Sequence, residues 1–189
     1  SYASDVKEEN WKLFQENIDI AQKLALEAYQ LQKESKEVCN LLISIAMANS
    51  KGDKIRLWFE RAIAIDIYNK NAFSSYMWAN FPRWGGSPEG MVSLGREFLL
   101  INQPPNHAAW NYLSMVAYLK GEIKDVYQYP GLMQDIEWAV EQLIASKSVH
   151  SYLFNNELAL AAFYHGSYDK CNKAILDAKG LFSTSWVNI

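Results

Sequence analysis

At 189 residues, half of them hydrophobic, 21% charged and 14% aromatic, the chain has the make-up of one folded domain. That excludes a disordered segment, and it excludes a small scaffold that depends on disulfides or metal for its core. With 18 basic residues against 21 acidic ones, net charge −3, the chain lacks the basic excess that general nucleic-acid binding uses to displace counterions.

The longest apolar run, 41–48, is broken by Ser44 and falls far short of a membrane span. No basic leader with an apolar stretch is visible at the start. The expected location is the cytoplasm, with a removed leader left open because the chain begins at Ser1. Cys39 and Cys171 both sit in apolar helical patterns and are expected to be buried, reduced thiols.

The first segment, residues 5–34, has helical spacing of Trp11, Phe14, Ile18, Ala21, Ala25 and Ala28, with Asp5 and Glu8 as a capping pair. A second helix over 36–49 puts Val38, Leu41, Leu42, Ile45 and Ala46 on one face, and Ser50-Lys51-Gly52 stops it. Asp53 is the expected cap of a third, with the stripe Ile55, Trp58, Phe59, Ala62 and Ile63. A fourth starts near Asn69 and carries Phe73, Tyr76 and Met77.

The stretch from Phe81 to Glu89 is dense in turn chemistry. Pro82 ends a helix, Gly85 and Gly86 open backbone angles that other residues resist, and Ser87-Pro88 reads as an N-cap followed by the first helical position. Met91, Leu94, Gly95, Phe98 and Leu99 line the next helix, which Pro104-Pro105 breaks. Trp110, Leu113 and Ala117 mark the one after it, ending at Gly121. Past Pro130-Gly131 comes a stripe of Ile136, Ala139, Val140, Leu143 and Ile144. Two last helices carry Leu158, Ala161 and Ala162, then Tyr168, Cys171, Ile175 and Ala178. Strand alternation is nowhere sustained, so the expected fold is all-α: an irregular antiparallel array of about nine helices, one repeat-like domain over 1–189.

Trp110-x2-Leu113-Ser114-x2-Ala117-x3-Gly121 resembles the first half of a tetratricopeptide-type repeat, with Ile123 and Val126 where its second helix begins. Leu158 to Ala178 is similar, with Gly166 ending a helix and Tyr168 filling the gap between hairpins. The spacing from Gly121 to Gly166 exceeds the period of about 34 residues, so the repeats are degenerate. The loop Phe81-Pro82-Arg83-Trp84-Gly85-Gly86-Ser87 also resembles that of an uncharacterised bacterial family of helical, repeat-like proteins, over residues 58–100. That family has no established activity, and small bacterial proteins built this way include immunity partners of secreted toxins.

Chemical signatures are sparse. His107, His150 and His165 have no Glu or second His at metal-binding helical spacing, and no phosphate-cradling Gly-rich motif is present. Gly90 to Gly95 imitates a nucleophile elbow with one residue too many before Ser93. His165, before Gly166, is expected to serve a helix end.

Two features suit binding. Arg83 and Trp84 either present a cation and an aromatic plate to a partner, or complete a helix end while Trp84 plugs the gap between hairpins; the turn chemistry around them favours the second. Glu122, Asp125, Asp135, Glu137 and Glu141, opposed by Lys124 alone, form either a solvated face or an anionic patch for a basic partner. Tyr127, Tyr129 and Trp138 would anchor that patch. The expectation is a non-enzymatic, cofactor-free protein-binding scaffold, most specifically an immunity protein occluding a toxin with a basic surface. The alternatives are an adaptor or regulatory repeat module, and an enzyme of unrecognised type.

Overall fold

The computed structural model describes residues 7–101, 103–123, 125–146 and 151–178, without the side chains of 151–153. The fold is all-α: among the described residues there are nine α-helices, two 3-10 turns and no strand. The chain divides into two compact units, Ser1–Trp84 and Gly85–Ile189.

The first unit holds α1 (Glu8–Leu31), α2 (Lys36–Ala48), α3 (Gly52–Ile65) and α4 (Lys70–Ala79), closed by a 3-10 turn at Pro82–Trp84. Its centre is α2, which packs on α1, α3 and α4. Cys39, Leu42 and Ile43 of α2 are fully enclosed, and Phe59 stacks on Tyr76 at 4.3 Å while meeting Phe73 edge-on at 5.2 Å. Ser35 caps α2 by accepting from the Val38 N–H, and Asn69 caps α4 by accepting from that of Ala72. Reciprocal amide bonds between Asn40 and Asn69, with Lys36 on Asp66 at 2.6 Å, tie α2 to the α3–α4 corner.

Several local expectations change. Lys7 rather than Asp5 precedes α1, with no side-chain cap, and Asp5 itself lies outside the described residues. The α2 stop is made by Ser50 at φ +53, with the Lys51 N–H on the Ala46 carbonyl, so α3 starts at Gly52 and Asp53 falls in its first turn. Leu41 faces outward. Trp11 and Phe14 are exposed because α1 outruns its partner: 24 residues span about 36 Å and the 13 of α2 about 20 Å. Asn49, just past α2, bonds Gln15 and Gln22, which marks how far along α1 that support reaches.

The second unit holds α5 (Pro88–Leu100), α6 (Pro105–Glu122), a 3-10 turn (Val126–Gln128), α7 (Leu132–Ala145), α8 (Ser151–His165) and α9 (Tyr168–Asp177). Each helix packs on the next in order, and the 3-10 turn lies against α6, α7 and α8. Three helices are joined by one network. Arg96 of α5 donates to Asp135 of α7 at 2.7 Å and to the Pro130 carbonyl at 2.8 Å, while the buried Tyr112 of α6 donates to Asp135 at 2.8 Å. Burial, then that bond, holds the Tyr112 phenol well above its ordinary range.

Here the buried face of α6 differs from the expected stripe. Trp110 is nearly half exposed and Ala117 faces solvent, whereas Ala108, Tyr112, Met115 and Leu119 are buried. Sandwiched between α5 and α7, α6 buries more than one stripe. No second α-helix starts at Ile123 or Val126. The 3-10 turn and Pro130 intervene, and α7 opens only after Gly131 in a left-handed conformation at φ +78. Ser93 sits inside α5, so Gly90 to Gly95 has no strand-to-helix elbow.

Candidate functional site

Around Arg83 and Trp84 the turn chemistry is as expected. Ser87 accepts from the Gly90 N–H at 3.0 Å, Pro88 opens α5, and Gly85 takes φ +92, although Gly86 needs no such angle. The plug is not there: Trp84 is 62% exposed. A 3-10 turn starting at Pro82 carries the ring outward, and Phe81 is the aromatic that the turn buries. Arg83 lies over Trp78 at 5.2 Å and over Phe81 at 5.7 Å, so the loop does display a cation beside aromatic faces.

The acidic face is partly occupied from within. Asp135 serves Arg96 and Tyr112, and Glu137 pairs with Lys170 of α9. Tyr127 is buried in the 3-10 turn and cannot act as an exposed anchor. Tyr129 is half-buried and donates to Glu89 at 3.2 Å. Its own N–H first, then the Tyr129 hydroxyl, hold the Glu89 carboxyl below the usual range. Trp138 is half-buried on α7; only Glu141 and Asp125 of the proposed patch stand openly in solvent. Lys124 lies outside the described residues.

The arrangement missed in the sequence is an aromatic corner where α8 turns into α9. Gly166, at φ +84, lets the chain reverse, and the Ser167 N–H returns to the Ala162 carbonyl at 2.8 Å. His165, beside the turn, has Nδ1 2.9 Å from the Ser167 hydroxyl rather than from a helix-end carbonyl. This reversal brings Phe163 edge-on to Tyr164 at 5.5 Å and to Tyr168 at 6.1 Å. Tyr164 lies parallel to the buried Tyr127 ring, centroids 5.8 Å apart, and its carbonyl accepts from Gln128 at 2.6 Å. Phe163, Tyr164 and Tyr168 remain 47, 45 and 62% exposed. Tyr168 thus fills no gap between hairpins, because the turn directs it outward beside Phe163.

A sequence signal for this corner did exist. Adjacent Phe163 and Tyr164 point about 100° apart on a helix, so both cannot enter one core. Tyr164 lies on the buried Tyr127 ring and Phe163 meets both Tyr164 and Tyr168 edge-on, so the corner offers three clustered, half-exposed rings. Among the described residues, no three His, Cys, Asp or Glu side chains group as metal ligands, and no helix is long and apolar enough to cross a membrane. Cys39 and Cys171 are buried free thiols, in different units, and burial raises both thiol pKa values. No protein-family model, characterised protein or solved structure matches this chain.

Proposed function

We propose that the chain is a non-enzymatic, protein-binding helical scaffold whose main recognition surface is the aromatic corner of Phe163, Tyr164 and Tyr168. The observation that carries the reading is a contiguous set of half-exposed rings braced on the buried Tyr127. Braced aromatic rings are the side chains that most often supply the binding energy of an interface. Gln128 donates to the Tyr164 carbonyl at one end of the cluster, and the Gly166 turn sets the reversal at the other.

The test is affinity capture from source-cell lysate with the unmodified chain and a Phe163→Ser/Tyr168→Ser double variant. Capture that disappears in the variant, while its melting temperature holds within a few degrees, supports the corner. Equal capture by both chains removes it. The partner's character then divides the narrower readings. A small basic protein bound one to one makes the chain an inhibitor of the immunity type, and a large assembly makes it an adaptor.

A further inference from the structure

Besides the face that packs on α2, the first helix carries a second apolar face. Ile18, Ala21, Ala25 and Ala28 line the packed side. Leu13, Ile20, Leu24 and Leu31 line another, and each is between 56 and 90% exposed. With Asn17 and Glu27, also exposed, these residues fall at alternating intervals of four and three along α1. That alternation is the seam of a two-helix coiled coil, which one face of an ordinary surface helix does not need.

We propose that this seam joins α1 to α1 of a second copy of the chain, antiparallel, about a two-fold axis level with Gln22. The seam is its own complement in that orientation alone. Leu13 meets Leu31 of the other copy, Ile20 meets Leu24, and Asn17 meets Glu27. Every apolar layer receives an apolar side chain, and each of the two symmetry-related polar layers pairs an amide donor with a carboxylate. Asn17 has a proton to give, since among the described residues one of its two amide hydrogens is used, on the Leu13 carbonyl at 2.9 Å. Parallel pairing would instead press Glu27 against Glu27, two like charges at a seam position.

Of the flanking residues, one pair favours this geometry and one opposes it. Glu16 comes beside Gln30 of the other helix, where the amide can donate to the carboxylate. Lys23 meets its own copy near the axis, so added salt strengthens the association by screening that one repulsion. The span from Leu13 to Leu31 is about 27 Å, and two helices in contact over that length form an interface of the weak, transient class, below about 1,200 Å². The dimer is therefore a reversible one, populated at high protein concentration.

Sedimentation velocity of the full chain between about 5 and 500 µM covers the affinity range of such an interface. The weight-average mass is expected to climb toward two chains with concentration. An Ile20→Glu/Leu24→Glu variant should stay at one chain throughout and keep its far-UV circular dichroism, because both positions are exposed and Glu suits a helix. Orientation is read by mild oxidation of Leu13→Cys and Leu31→Cys chains: the mixture should cross-link and neither alone should. A constant single-chain mass for the unmodified protein, undiminished association of the double variant, or self-cross-linking of Leu13→Cys would each overturn the proposal.

Discussion

Replacing Tyr112 by Phe deletes one oxygen from the centre of the second unit and leaves its shape intact. The ring is fully buried, so no cavity forms, and the loss is confined to the hydroxyl bond to Asp135 at 2.8 Å. Hydrogen bonds to charged groups contribute about 1.5–3 kcal/mol. Asp135 keeps Arg96 at 2.7 Å and is partly solvated, so the variant does not orphan it, and the expected cost is about 1.5–2 kcal/mol. Equilibrium urea unfolding near pH 8 measures this as a lower midpoint with unchanged slope.

The same variant carries a pH signature. Tyr112 ionises well above 10 in the folded chain and near 10 when unfolded, so its contribution is intact below pH 10 and is lost as the pH rises through the folded value. The stability gap between the parent and Tyr112→Phe should then narrow above pH 10 by about 1.4 kcal/mol per pH unit. A cost under about 0.5 kcal/mol at pH 8 would refute a working Tyr112–Asp135 bond. A gap that stays constant to pH 11 would refute the burial of its ionisation.

Three further substitutions probe other parts of the fold. Trp84→Ala should change unfolding stability by less than about 0.5 kcal/mol, the surface range, whereas a ring plugging a hairpin gap would cost several. Gly95→Ala gains about 1 kcal/mol of helix propensity but sets a Cβ against the Met115 terminal methyl and 3.2 Å from the Tyr112 ring. Because both neighbours are fully buried, a net loss of about 1–2 kcal/mol is expected, and a stabilised variant in urea titration would show that the core there yields easily. Ser87→Ala removes the cap of α5 and should cost about 1 kcal/mol by the same measurement; no change would mean that water replaces the cap.

The helices themselves were legible because their signals are local. Asn69 before α4, Ser87-Pro88 before α5 and Gly166 after α8 each act within one turn of backbone, and the structure uses each as read. Register was harder to read wherever a helix is apolar on several sides. Trp110, Leu113 and Ala117 offer as regular a stripe on α6 as Ala108, Tyr112, Met115 and Leu119, and only its two neighbours α5 and α7 choose between them. Length mismatch was equally hidden: nothing within residues 8–31 says that α2 will end opposite Gln15 and leave Trp11 unsupported. The same limit explains Trp84 and Tyr127. Turn chemistry specifies the backbone at both places, but which ring goes inward depends on what else fills the space, and Phe81 fills it beside Trp84.

The two exposed apolar surfaces differ in kind, and that difference assigns them different partners. At the α8–α9 corner, rings of unequal orientation are held by edge and face contacts, an irregular relief that another protein must match and that this chain does not reproduce elsewhere among the described residues. Along the α1 seam the apolar residues are aliphatic and periodic, and read backwards they match themselves. An irregular aromatic relief favours a heterologous partner; a self-complementary seam favours a two-fold. If both assignments hold, Ile20→Glu/Leu24→Glu should abolish self-association and leave capture through Phe163 and Tyr168 untouched, since the substituted side chains belong to different units and different helices. Loss of capture in that variant would instead mean that partner binding requires the paired form, with two aromatic corners engaged at once and affinity raised by their effective concentration.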